Sequence, residues 1–176
     1  RISASSRKQS LGKDFEAISN ELIVLRSQKN NITGSVARIR SEIIAHLGVS
    51  EKDIPFIGEL IQVRKSAKEW ESAIERLLHN FALRLLIPVE YYQKVNKYVN
   101  ENDLRGRIIY HKFDKKEVAP SIFNTTSEND LINKLELKDS PYKEWVVQEI
   151  EKSYNYSCVE SVEEFRLLDK ASLMIF

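Results

Sequence analysis

The chain has 176 residues, 42% of them hydrophobic and 30% charged, with only five glycines and four prolines. That content fits one or two folded domains built from long regular elements and excludes disorder, collagen-like repeats and a turn-rich β-sandwich. Its 27 basic and 26 acidic residues leave a net charge of +1, so any binding to nucleic acid or membrane has to come from local asymmetry. A single cysteine, Cys158, allows neither an internal disulfide nor a cysteine-based zinc site and favours a reducing, intracellular home. Apolar runs such as 83–89 are too short to span a bilayer, and 1–13 carries charge with no apolar stretch behind it, so neither an anchor nor a signal peptide is expected. The chain opens on Arg1 rather than Met and reads as a piece of something longer.

Charge and hydrophobic period both change near Gly48, which divides the chain into an arm over 1–49 and a domain over 50–176. The first part carries eight basic and four acidic residues, a net of +4, against 19 basic and 22 acidic in the second, a net of −3. From Leu11 the apolar residues alternate by four and three: Leu11, Phe15, Ile18, Leu22, Leu25, Ile32, Val36, Ile39 and Ile43, with Lys29 and His46 as the polar breaks in the seam. Period 3.5 over five heptads predicts a coiled-coil arm on the order of 50 Å long. Gly34 falls on an outward position, where it weakens the helix by roughly 1 kcal/mol without interrupting the seam. A two-in-seven stripe must bury against another helix, and no second segment repeats the pattern at comparable length. The partner is therefore expected on another chain or beyond Phe176.

After Asp53 short strands alternate with short helices. The pattern predicts a strand over 54–63 entered through Pro55, then a helix behind a Ser66/Glu69 capping box with Trp70, Ala73, Ile74, Leu77, Leu78 and Phe81 on its inner face. A buried strand over 83–87 follows, then a helix opened by Pro88 that presents Tyr92, Val95 and Val99. A third strand is expected over 107–113, a polar connection with at most a short helix over 120–133, and a weak strand near 134–138. Ser140 and Pro141 start a helix with Trp145, Val146 and Ile150 inward. A strand over 156–159, a short helix capped by Ser161 and Glu164 with Val162 and Phe165 inside, and a last strand over 172–176 complete the chain. The fold class is α/β (α+β): a globular domain of alternating short strands and helices, part of its sheet parallel, preceded by a long coiled-coil helix.

Catalytic chemistry is hard to find. The one Gly-Lys pair, Gly12-Lys13, has Arg7 where a phosphate loop needs its first glycine and Asp14 where it needs the magnesium hydroxyl. His46, His79 and His111 lack a second ligand at metal spacing, and Cys158 reads as a small buried hydrophobe. Ser5/Lys8 and Ser140/Lys143 repeat a Ser-x-x-Lys spacing, but one lies in an apparently frayed start and the other at a helix cap. The best binding candidate is 105–116, where Arg105, Arg107, Lys112, Lys115 and Lys116 supply five positive charges against Asp114, with Tyr110 and Phe113 interleaved. Such a strand could meet phosphates and stack on bases. Alternation alone also sends every second side chain of a strand to water.

These residues resemble a known family. Ile54-Pro-Phe-Ile-Gly-Glu-Leu-Ile-Gln-Val63, Trp70-Glu71, Ala73-Ile-Glu-Arg-Leu-Leu78, Leu85-Leu-Ile-Pro-Val-Glu-Tyr91 and Leu104-Arg-Gly-Arg-Ile-Ile-Tyr110 are similar to the middle of SMC-like proteins of the MukB/MksB type, above all the JetC subunits of Wadjet anti-plasmid systems. Lys134-Leu-Glu-Leu-Lys138, Ser140-Pro-Tyr142, Trp145 and Tyr156-Ser-Cys-Val-Glu-Ser-Val-Glu-Glu-Phe-Arg166 continue the resemblance in order. It implies that the segment is the hinge at the far end of an antiparallel coiled coil, with the returning helix after Phe176 as the arm's partner. It also implies a homodimer formed with a second copy through the hinge, ATP and Mg held only in a distant head, and a parent that acts on DNA with kleisin-like, accessory and nuclease subunits in the bacterial cytoplasm, at the nucleoid. No catalytic, cofactor-binding or metal residue is expected in the segment itself. A DNA-binding module using the basic strand and arm, and a chromosome-organising relative, are the alternatives.

Overall fold

The computed structural model describes residues 34–118, 127–167 and 173–175. The arm's end is helix α1, described over 34–47. It stops where Gly48 takes a left-handed φ of 67° and its amide, like that of Val49, turns back to the Ile44 carbonyl. Beyond it come β1 (Ile61–Val63), α2 (Glu71–Ala82), β2 (Leu85–Pro88), α3 (Val89–Glu101), β3 (Tyr110–Phe113), α4 (Leu131–Lys134), β4 (Leu135–Leu137), α5 (Lys143–Ser153), β5 (Ser157–Val159), α6 (Val162–Leu167) and β6 (Leu173–Ile175). Strand pairs β2–β3 and β5–β6 are parallel and β1–β4 is antiparallel, so the alternating pattern does produce a partly parallel α/β structure.

Strand β2 organises the packing. All four of its residues are buried, and its side chains alternate between two hydrophobic cores. Leu86 faces a core built with Ile57, Trp70, Ile74, Leu78 and Phe81 on one side and Leu131, Leu135, Val146 and Ile150 on the other. Leu85 and Ile87 face a second core with Val95, Leu104, Ile54 and, from the arm, Ile39 and Ile43. Each such aliphatic side chain contributes about 1.5–3 kcal/mol on burial. The two faces of one strand thus tie α2 and α5 to α3 and the arm.

Several boundaries differ from the sequence expectation for local reasons. The strand expected over 54–63 is confined to β1, because Glu59 turns back to accept the Phe56 amide at 3.0 Å and closes a 3-10 turn at Ile57–Glu59. Gly58 permits this turn against α2, since a Cβ there would come within 2.9 Å of the Ala82 Cβ. The Ser66/Glu69 capping box does not form at a helix start. Instead a 3-10 stretch, Lys65–Trp70, precedes α2, and Arg64 anchors it by donating from Nε to the Leu135 carbonyl at 2.9 Å. Helix α5 begins at Lys143 without a Ser140 side-chain cap. Before α6 the Ser161 hydroxyl does accept the Glu164 amide, at 3.1 Å. Val162 is 48% exposed rather than inward, because α6 is a short surface helix. The expected connection at 120–126, the Phe165 side chain, Ser172 and Phe176 lie outside what is described.

Candidate functional site at the arm junction

The described seam residues Val36, Ile39 and Ile43 are all buried. Ile39 and Ile43 are covered by the domain itself, in the core they share with Ile54, Leu85, Ile87, Val95 and Leu104. Leu11, Phe15, Ile18, Leu22, Leu25 and Ile32 lie outside the described residues. His46, the polar break near the end of the seam, is exposed and stacks on Tyr98 of α3 with ring centroids 4.6 Å apart.

Between the seam positions sits a residue that heptad reasoning passes over. Arg40 would be an outward, solvated charge in a free coiled coil, yet its side chain is only 7% exposed. Its Nε donates to the Ile54 carbonyl at 3.0 Å, Nη2 to the Glu51 carbonyl at 2.8 Å and Nη1 to Glu59 Oε1 at 2.8 Å. The guanidinium also lies over the Phe56 ring, 4.7 Å from its centroid. A buried charge is tolerated only when its donors find partners in this way. Arg38 reaches the other side of the helix, where Nη2 donates to the Leu104 carbonyl at 2.6 Å, and it also pairs with Glu42. Tyr142 closes the junction by donating to the Asp53 carbonyl at 2.9 Å, and burial pushes its phenol up to about 12. A cleft of about 550 Å³ borders this junction, where Arg40, Lys52 and Lys138 are balanced by Glu51, Glu59 and Asp139.

The basic stretch falls into two groups. Arg105 and Arg107 are exposed in the loop between α3 and β3. Arg105 has a φ of 45°, and its amide donates to Asp103 Oδ1 at 3.0 Å. Gly106 presses this loop onto the arm, for a Cβ there would stand 3.0 Å from Ile39 Cδ1. Lys112 on β3 is exposed and paired with Glu117 at 3.3 Å, and Lys115 and Lys116 are exposed in the following turn. The interleaved aromatics are engaged within the domain. Phe113 is buried against Tyr142, with centroids 4.6 Å apart, and the Tyr110 hydroxyl is spent on Asn96 Oδ1 at 2.6 Å. What remains for a polyanion is the arginine pair beside the arm and the lysine turn beyond β3.

Among the described residues no three or more His, Cys, Asp and Glu side chains gather as metal ligands would. Cys158 is buried on β5, where desolvation pushes its thiol up to about 11. His79 is half-buried on α2, and His111 is half-buried between Arg84 and Trp145. No helix among the described residues is long and apolar enough to cross a membrane.

No protein-family model matches the sequence, and no curated protein matches it. Solved structures do. The chain superposes on the Smc hinge domain with an extended coiled coil from Pyrococcus furiosus with a TM-score of 0.53 at 22% identity, over 93% of this chain and 57% of that one. It also superposes on the SMC hinge domain of Geobacillus stearothermophilus, solved as an asymmetric dimer, with a TM-score of 0.51 at 14% identity, over 97% of this chain and 74% of that one. The chain has the fold of an SMC hinge domain. The junction built by Ile39, Arg40 and Ile43 is where helix α1 meets the rest of the domain, and the loop carrying Arg105 and Arg107 packs against it.

Proposed function

We infer that this chain is the hinge and dimerisation module of an SMC-like ATPase that acts on DNA, with a JetC-type subunit of a Wadjet anti-plasmid system as its parent. The observation that carries the reading is the hinge fold, with the heptad pattern of residues 11–43 in the sequence beside it. A self-pairing domain at the end of a coiled coil has the form of a connector and needs no reactive centre of its own. On this reading two copies pair through the domain. A candidate surface for that pairing is the groove of about 360 Å³ between β1 and α2, floored by Ile61, Val63, Ile74 and Leu78 and rimmed by Glu71 and Glu75. Among the described residues β1 pairs only with β4, so its outer edge is open to a further strand.

The segment is then no enzyme by itself. ATP and Mg belong to a head assembled from distant parts of the parent, and the kleisin-like, accessory and nuclease subunits bind the parent elsewhere. A helix returning after Phe176 covers the outer part of the seam. Arg105 and Arg107 supply the DNA contact closest to the arm. A chromosome-organising relative of the MukB/MksB type shares all of these features except the nuclease.

Sequencing the source gene on both sides of the segment tests the reading. A phosphate loop several hundred residues upstream, with a returning heptad helix and an acidic ATPase strand downstream, is the expected result. A nuclease gene beside it selects the defence system. A start codon just before Arg1 and a stop just after Phe176 would overturn the ATPase parent.

A further inference from the structure

Residues 38–40, together with Ile43, hold the arm to the domain by two means, apolar burial and guanidinium hydrogen bonds. Ile39 is buried in the second core, Arg38 bonds the Leu104 carbonyl on one side of α1, and Arg40 bonds the 51–59 segment on the other. Apolar burial is non-directional, so Ile39 and Ile43, with Ile44 and Leu47 packed beside them, would keep α1 against the domain while leaving it free to roll. A planar guanidinium with each nitrogen committed to a different acceptor does not permit that movement. The acceptors of Arg40 also lie in the very segment through which the chain leaves the arm. They therefore triangulate the helix against its own exit path, with Phe56 stacked beneath as a floor.

We propose that Arg40 is the positioning residue that fixes the roll of the arm against the domain, with Arg38 as a second anchor, so that arm and domain turn as one lever. The inference rests on the reading of the chain as a hinge with its arm, but it concerns contacts within one chain. Loss of the clamp leaves Ile39 and Ile43 buried, so the expected consequence is a loosened arm on an intact domain.

Pulsed electron–electron distance measurements test it. Spin labels go on the exposed positions Ala37→Cys in α1 and Ser72→Cys in α2 of the 176-residue chain, in a Cys158→Ala background, diluted with unlabelled chain so that only distances within one chain are read. Ala37 adjoins the buried Ile39, so release of the clamp moves it chiefly by rolling α1 about its own axis, and at a side-chain radius of about 5–6 Å a roll of about 30° moves it by about 3 Å. The parent chain is expected to give one narrow distance, and Arg40→Met to broaden or shift it by about that amount. A second pair, Ser72→Cys with Lys152→Cys inside the domain, is expected to stay unchanged, which a general loss of structure would not allow. An unaltered Ala37–Ser72 distance in folded Arg40→Met overturns the proposal. Should Arg40→Met not fold, Glu59→Gln and Arg38→Met each remove one anchor, and an unaltered distance in both overturns it equally. Light scattering on the same samples separates this from the hinge reading. A monomer with a rigid arm sinks the hinge and keeps the clamp, whereas a dimer whose parent chain already shows a broad distance does the reverse.

Discussion

Nε2 of His111 lies 3.3 Å from Nη1 of Arg84, and the His111 ring packs on Trp145 with centroids 5.3 Å apart. Because a guanidinium only donates, Nε2 must accept, which places the imidazole proton on Nδ1 and keeps the ring neutral. Burial first, and the Arg84 charge second, hold the His111 pKa below its ordinary 6.5, while Glu149 opposes them. The unfolded chain then binds this proton at higher pH than the folded one. His111 thus contributes stability that is complete above about 6.5 and is lost as pH falls through the lower folded value. The thermal midpoint is expected to drop between pH 7.5 and pH 5, and to drop less in His111→Gln. Equal losses in the two proteins would contradict the assignment.

Integration of the arm into the domain predicts an effect that a freely dangling coiled coil lacks. Ile39→Ala leaves a cavity in the core formed with Leu85, Ile87 and Val95, and should cost about 2–5 kcal/mol of domain stability in urea. Ile109→Ala, at a position 42% exposed, should change it by no more than about 0.5 kcal/mol. Similar small effects at both positions would mean that the arm is not part of the core.

The contact of Gly58 with Ala82 predicts a coupled pair. Gly58→Ala forces a Cβ to within 2.9 Å of the Ala82 Cβ and should cost about 1–3 kcal/mol. Ala82→Gly in the same chain removes the Cβ–Cβ clash but leaves the residue-82 carbonyl 3.1 Å away, so it should recover only part of that loss, as a double-mutant cycle would show.

If the loop beside the arm meets DNA, its two arginines should dominate. Arg105→Glu with Arg107→Glu is expected to weaken retention and to lower the slope of log affinity against log salt by about 2. Lys112→Glu should do less, because Glu117 already engages that lysine. Weak binding without salt dependence in the parent chain would remove the loop as a DNA contact.

Thiol reagents should leave Cys158 untouched in the folded chain, since desolvation pushes its pKa up to about 11 and holds it as the unreactive thiol. Labelling is expected to follow global unfolding. Rapid modification of the native protein would place Cys158 at the surface.

Much of the fold was legible because its signals are local. The continuous apolar character of Leu85 to Ile87 announced a strand buried on both faces, Pro88 announced the start of α3, and Ser161 with Glu164 announced α6. What escaped were contacts that leave no period in the sequence. The 3-10 turn at Ile57–Glu59 depends on Glu59 bending back while Gly58 fits against Ala82, and neither event has a periodic signature. Arg40 was hidden for the same reason. Its heptad position calls for an exposed charge, and only the folded 51–59 segment supplies the acceptors that bury it. Phe113 misled in the opposite sense, for alternation with lysines suggests an exposed aromatic, yet its partner Tyr142 comes from a segment 29 residues away.

The central claim is that this domain pairs with a second copy of itself, and the mass of the chain in solution tests it most directly. Light scattering over a concentration series should return twice the 20.5 kDa of one chain, with dissociation only on dilution. A mass of one chain at every concentration attainable would contradict the hinge account.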